Sequence, residues 1–313
     1  MIEALARRAL ASWGLQGAEL TLVAQRENSV YRVTPAGRAA LALRLHRPGL
    51  RSDAELRSEL QWMEALARGG LTLPRPIPTE AGSLCTRIDG TVVDLLTWLE
   101  GAPMGKDGRL SPLPDPLAAY RALGQAMAEL HDISDGWTPP SGFSRPSWNL
   151  DGLLGDKPLW GRFWNNPQLR EAEAGLLQRA RSAALTRLTA ATPTLDFGLI
   201  HADLVPENVL FLGHRPQLID FDDSGFGFRL FDLATVLNRA LRDDDYAPRR
   251  DAMLSGYQSR RAIDLTDLPL FQALRAFTYV GWIVPRTDEP GAEARCKRFI
   301  ALACRMAAEM LGE

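Results

Sequence analysis

Lysine is nearly missing from this chain. Of its 36 basic residues only Lys106, Lys157 and Lys297 are lysines, so contacts to phosphate or carboxylate fall to arginine. Cysteine is scarce too. Cys85, Cys296 and Cys304 make an odd count with no CxxC pair, which argues against a disulfide framework or cysteine zinc site and for a reducing compartment, so the cytoplasm is the expected location. Neither sign of charge dominates: 36 basic residues face 38 acidic ones, for a net charge of -2. Nothing global therefore draws the chain to nucleic acid or an anionic membrane, and neither is an expected partner. Long apolar runs are absent as well. The longest candidate, "FTYVGWIV", falls far short of the roughly 18 residues a membrane helix needs. The opening "MIEALARRALASWGL" breaks its apolar residues with Glu3, Arg7 and Arg8, the pattern of an amphipathic helix rather than a signal-peptide core.

What is present is an ordinary globular composition, 46% hydrophobic and 24% charged, over 313 residues. That length exceeds most single cores and predicts two lobes of unequal size. "LTLVAQRENSVYRVT" and "AALALRLHR" alternate as strands around the turn "PAGR", giving an antiparallel hairpin. "SDAELRSELQWMEALARGG" follows as a helix, with Ser52 as N-cap, Glu55 as its capping-box partner and Gly69-Gly70 as the stop. Two more strand-like runs flank Asp89-Gly90. The order describes a small antiparallel sheet with one helix, an N-terminal lobe of residues 1–97. Residues 98–313 read as a larger, mostly helical lobe, so the fold class is α+β.

The informative stretch is "HADLVPENVLF", residues 201–211, with "LIDFDD" soon after. Polar side chains between two apolar runs need partners. With "FGLIHADL", "NVLFL" and "PQLIDFDD" as short strands around a loop, Asp203 and Asn208 lie on the loop and Asp220 arrives on a strand beside it. Two carboxylates and an amide oxygen are hard donors of the kind Mg²⁺ accepts alongside waters and substrate phosphates. One acid is then free to receive a hydroxyl proton, a division of labour that suits phosphoryl transfer.

"HADLVPEN" followed by "IDFDD" resembles the catalytic and metal-binding segments of the aminoglycoside phosphotransferase and choline kinase-like superfamily, relatives of protein kinases. The order of elements on both sides agrees with that bilobal fold over most of the chain. The resemblance implies Asp203 as catalytic base, Asn208 and Asp220 as metal ligands, His201 as an anchor of the loop, and ATP with Mg²⁺ as cofactors. Asp222, where relatives have the DFG glycine, adds a carboxylate near the metal. Asp232 in "LFDLA" corresponds to an Asp that ties back to the loop, and equally to a charge complementing a helix dipole. Upstream, Arg44 in "LALRL" and Glu59 in "SEL" match a phosphate-holding base and its acidic partner, with Arg where the family has Lys. A polar turn stands in for a glycine-rich loop, which makes Asn28 and Ser29 candidates for triphosphate contacts. "LLTWLEG" matches the hinge, whose backbone around Thr97 to Leu99 would meet adenine.

The acceptor implied is a hydroxyl on a small molecule: an amino alcohol, a homoserine-like amino acid or an aminoglycoside. "IDFDD" resembles the subgroup with bacterial homoserine kinases, stress-response kinases and spectinomycin- or hydroxylysine-type phosphotransferases. Two other readings compete. A serine/threonine protein kinase of the stress-response type is disfavoured by Ala202 and Val205, where protein kinases carry Arg and Lys, and by the short "FDDSGFGFRLF" that alone separates Asp220 from Asp232. A catalytically weak nucleotide-binding scaffold is motivated by Arg44 and by the unusual phosphate loop. Plainer readings hold elsewhere. Arg44 with Glu59 alone would be an ordinary surface ion pair, His131 a helix-terminal packing residue, His46 and His214 solvated, and "RDDDY" a solvated turn. Trp148, Trp160, Phe163 and Trp164 read as core more than as pocket wall.

Overall fold

Along the chain run α1 (Ile2–Ala9), β1 (Glu19–Gln25), β2 (Asn28–Thr34), β3 (Leu41–His46), α2 (Asp53–Arg68), β4 (Cys85–Ile88) and β5 (Thr91–Thr97). Then come the short strands β6 (Ala102–Pro103), β7 (Gly105–Lys106) and β8 (Arg109–Leu110), followed by α3 (Pro116–Gly136), β9 (Ser147–Trp148), α4 (Leu150–Leu154) and α5 (Glu171–Ala191). The remainder comprises β10 (Phe197–Ile200), β11 (Val209–Leu212), β12 (Arg215–Leu218), β13 (Gly225–Phe228), α6 (Arg229–Asn238), α7 (Tyr246–Gln258), α8 (Leu268–Trp282) and α9 (Ala292–Leu311). This computed structural model describes residues 2–25, 28–106, 108–241 and 243–313. The elements form two units, each assembled from three stretches: residues 1–103, 132–145 and 209–222 in the first, and 104–131, 146–208 and 223–313 in the second.

The first unit is built on an antiparallel sheet of order β1-β2-β3-β5-β4. The run "LTLVAQRENSVYRVT" is two strands, not one: β1 and β2 pair antiparallel, and Arg26 and Glu27 lie outside the described residues. Polar residues there interrupt the apolar alternation that a single strand would need. Tyr31, Val33, Leu43, Leu45, Val93 and Leu95 pack with Ala6, Ala9, Leu10 and Trp13 of the N-terminal helical turns. The Ser52 capping box forms as read: Ser52 Oγ accepts the Glu55 N–H at 3.3 Å and Glu55 Oε2 accepts the Ser52 N–H at 2.8 Å. Trp62 of α2, fully buried, donates to Ser134 Oγ at 3.0 Å and meets Phe221 edge-on. A second sheet, β12-β11-β6, belongs to this unit.

The second unit is helical around a three-stranded sheet in which β13 pairs antiparallel with β10 and parallel with β9. Two glycines let α3 and α7 touch backbone to backbone. A Cβ at Gly124 would stand 2.0 Å from the Met253 carbonyl oxygen, and one at Gly256 2.1 Å from that of Arg121. In the connector, Trp148, Phe163 and Trp164 are core as expected. Trp160 stays half-buried. Among the described residues no helix is long and apolar enough to cross a membrane.

Candidate active site

In the second unit β10 leads through Ile200 into the loop of residues 201–208, whose Leu204 is fully buried. Ala202 holds φ +66°, a left-handed conformation that costs an L-residue about 1–2 kcal/mol. Hydrogen bonds on both sides of Ala202 fix it. Asp232, buried in the first turn of α6, accepts the His201 N–H on Oδ2 at 2.9 Å and the Ala202 N–H on Oδ1 at 2.7 Å. Arg275 donates to the Ala202 carbonyl at 3.1 Å. His131 completes the bracket, with Nε2 3.2 Å from Asp232 Oδ2 and Nδ1 2.8 Å from the Tyr257 hydroxyl. Burial pushes the His131 imidazole below its ordinary range, and Nε2 faces the Asp232 carboxylate, which can only accept. Burial alone would raise the Asp232 carboxyl, but its bonds to His131 and the His201 backbone pull it below the usual carboxylate range.

Asp203 follows the strained residue, and its two oxygens have different neighbours. Oδ1 accepts from Arg275 at 2.5 Å. Oδ2 lies 3.2 Å from Asn208 Nδ2, which also donates to the Asp203 carbonyl at 2.9 Å. Both atoms facing that nitrogen are acceptors, so the amide orientation is determined and Asn208 Oδ1 is turned away from Asp203. Burial raises the Asp203 carboxyl above the ordinary value, and Arg275 offsets only part of the rise. His201 is buried and its Nδ1 faces the Asp203 N–H at 3.4 Å, an anchoring place in the loop.

Asp220 and Asp222 lie in the first unit. Asp220 is not on a strand: β12 stops at Leu218, and Asp220 is exposed with φ +66°. The alternation that suggested a strand breaks there because the backbone turns. Asp222 Oδ2 accepts from Asn28 Nδ2 at 2.9 Å, and Arg145 donates to the carbonyls of Phe221 and Asp222 at 3.0 and 2.7 Å. Ser29 is buried in β2, opposite Gln25 and Leu45. Among the described residues no group of three or more His, Cys, Asp or Glu is placed to hold a metal by itself.

Arg44 and Glu59 meet in the same unit at 2.7 Å, fully inside rather than on the surface. Arg44 also forks onto Asp94, Nε to Oδ1 and Nη2 to Oδ2, both at 2.9 Å. His46 joins at 2.6 Å from Asp94, buried and not solvated as its sequence position suggested. Arg145 stands 3.6 Å from Glu59. Burial pushes the Asp94 carboxyl up, but Arg44 and His46 pull harder and bring it to about 2. Glu59 is likewise held below its usual range against burial by Arg44 and Arg145. Three of the five guanidinium N–H groups of Arg44 serve these carboxylates, one from Nε and one from each terminal nitrogen.

In "LLTWLEG" the Thr97 N–H donates to the Arg75 carbonyl and the Thr97 hydroxyl accepts the Arg75 N–H, both at 2.9 Å. Trp98 N–H goes to the Ala40 carbonyl. Leu99 N–H has no such commitment among the described residues. In "RDDDY", Asp243 and Asp245 pair with Arg249 as a local turn would, and Arg242 lies outside the described residues. A cavity of about 490 Å³ lined by Gly108, Arg239, Asp243 and Arg249 adjoins the loop, since Glu207 accepts from both Gly108 N–H and Arg239. Sequence reasoning missed Asp94 and Arg275. Each leaves a trace: an acid amid the apolar residues of "TVVDLLT", and a lone cation in the apolar helix "LPLFQALRAFTYVGW".

Residues 19–277 match the model of the phosphotransferase enzyme family. The chain belongs to that family. A protein of Deinococcus radiodurans without an assigned activity is 32% identical over 313 residues, covering 95% of this chain and 86% of that one. A homoserine kinase of Rhizobium johnstonii is 34% identical over 230 residues, 69% of this chain and 65% of its own length, just under two thirds. The solved structure of a microcompartment-associated aminopropanol kinase superposes with a TM-score of 0.85 at 29% identity, over 99% of this chain and 98% of that one. The fold is therefore that of the protein-kinase-like phosphotransferases, and this phosphotransferase is an enzyme of that class.

Proposed function

We propose that this phosphotransferase moves the γ-phosphoryl of ATP to a hydroxyl of a small molecule, with Asp203 as base. The observation that carries the reading is the Asp203–Asn208 pair. The amide nitrogen is spent on Asp203, and the amide oxygen remains for a cation. A half-buried carboxylate with a raised proton affinity is suited to take the acceptor's proton. In the reaction the acceptor O–H bond breaks and its proton passes to Asp203. The oxygen bonds to the γ-phosphorus as the bond to the leaving ADP breaks. Asn208, Asp220 and Asp222 would be the hard oxygen donors toward Mg²⁺, which when bound would neutralise charge on the phosphates. Arg44, positioned by Asp94 and Glu59, would hold the α- and β-phosphates, Asn28 and Ser29 would border them, and Leu99 would meet adenine beside the ordered Thr97. Residues 1–97 form the nucleotide lobe in this reading and 98–313 the catalytic one.

The homoserine and aminopropanol kinases similar to this chain are named for small acceptors with both a hydroxyl and an amine. We favour that class over the larger aminoglycosides. A protein-kinase reading lacks room for a regulatory loop, because only Asp223 and Ser224 separate Asp222 from β13, which runs straight into α6. Three free cysteines suit a reducing compartment such as the cytoplasm. The test is coupled ADP release across amino alcohols, hydroxy-amino acids and aminoglycosides. Turnover on at least one, lost in Asp220→Ala, is expected. A chain that binds ATP yet phosphorylates none of them would be the scaffold instead.

A further inference from the structure

The loop between His201 and Asn208 contains no lysine or arginine, yet its carboxylate is paired with a cation. Arg275 comes from α8, 72 positions away in sequence, and is fully buried. Its guanidinium carbon lies 4.5 Å from the ring centre of Trp160, 4.4 Å from Tyr279 and 5.5 Å from Phe231, and Nη2 also donates to the Tyr279 hydroxyl at 3.1 Å. Three aromatic rings within 5.5 Å thus pack against the fork. From there one terminal nitrogen meets the carbonyl of strained Ala202 at 3.1 Å and the other meets Asp203 Oδ1 at 2.5 Å.

We propose that Arg275 is a positioning residue for the base: it locks Asp203 through Oδ1 so that Oδ2 is the oxygen that receives the acceptor's hydroxyl proton. One rigid group bonds to the backbone of residue 202 and the side chain of residue 203, and so fixes the carboxylate relative to its own main chain. A lysine ammonium, a point donor on a flexible stem, cannot hold two such targets in one plane. Among the described residues the other hydrogen bond to the Asp203 carboxylate is the long one from Asn208 to Oδ2, already shared with the Asp203 carbonyl, so Oδ2 keeps lone-pair capacity for the proton. A group displaced by about an ångström from its working place can lose roughly 10²-fold in rate.

The inference rests on the phosphotransferase reading of the loop. It is tested with Arg275→Met and Arg275→Lys in the full chain, on an acceptor identified by ADP release. The Met variant is expected to lose about 10²-fold in kcat with KM for ATP and acceptor nearly unchanged, and the Lys variant to recover part of that loss. A crystal structure of the Met variant should show the Asp203 carboxylate in a new rotamer while Asp232 still binds the amides of residues 201 and 202. Wild-type kcat in a folded Met variant overturns the inference, as does a rise in acceptor KM at unchanged kcat. Should the Met variant not fold, the Lys variant decides: reduced kcat at unchanged KM supports positioning, and wild-type turnover refutes it. An inactive wild type overturns the reading of the reaction, and even then an unmoved Asp203 in either variant's structure overturns the positioning on its own.

Discussion

Arg44 forks onto Asp94 where a lysine would present a single ammonium, and that shape sets what substitution should do. Arg44→Lys keeps the charge but loses the bidentate bond, so ATP should bind about tenfold more weakly, as calorimetry can read. Asp94→Ala leaves the buried guanidinium short of a partner and should cost about 3–5 kcal/mol in denaturant unfolding. Asp94 also makes an acid-stability prediction. Its carboxyl lies at about 2 in the folded chain against an ordinary 3.8, so its contribution is present above pH ~4 and is lost as pH falls toward ~2. The lost amount is on the order of 2 kcal/mol. Asp94→Asn should flatten that part of the wild-type stability curve, and an unchanged acid slope in the variant would remove the assignment.

At the level of elements, α6 anchors the loop through one side chain. Asp232→Asn keeps the shape but loses the charge, and its amide nitrogen repels one of the two amides now held. A loss of about 2–4 kcal/mol in stability is expected, with kcat falling further than the folded fraction explains. Gly124→Ala would force α3 and α7 apart where a Cβ meets the Met253 carbonyl, with about 1–3 kcal/mol lost in thermal unfolding. These elements were unequally legible. Period and capping made α2 plain from the amino acids, and the spacing within "HADLVPEN" located the loop. The break between β1 and β2 was harder, because both flanks alternate in the same way. The strand expected at Asp220 failed because a left-handed backbone turn has no signature in a residue other than glycine. His46 looked solvated because its partner, Asp94, lies 48 positions on, across β3 and β5. Arg275 stands out as a lone cation in an apolar helix, but its partner does not: a pairing over 72 positions is not encoded in any local period.

For the molecule as a whole, the account gives nucleotide holding to Arg44 and proton transfer to Asp203, which belong to different units. Nucleotide holding and proton transfer should therefore separate experimentally. The measurement that bears most directly on this is a paired assay of Asp203→Ala, with ATP affinity by calorimetry and phosphorylated product by mass spectrometry. Removing a general base should cost about 10²–10⁴-fold in turnover while the nucleotide site is untouched. ATP affinity within about twofold of wild type, with product falling by about 10³-fold, is the predicted result. Product formation at the wild-type rate in Asp203→Ala would contradict the account.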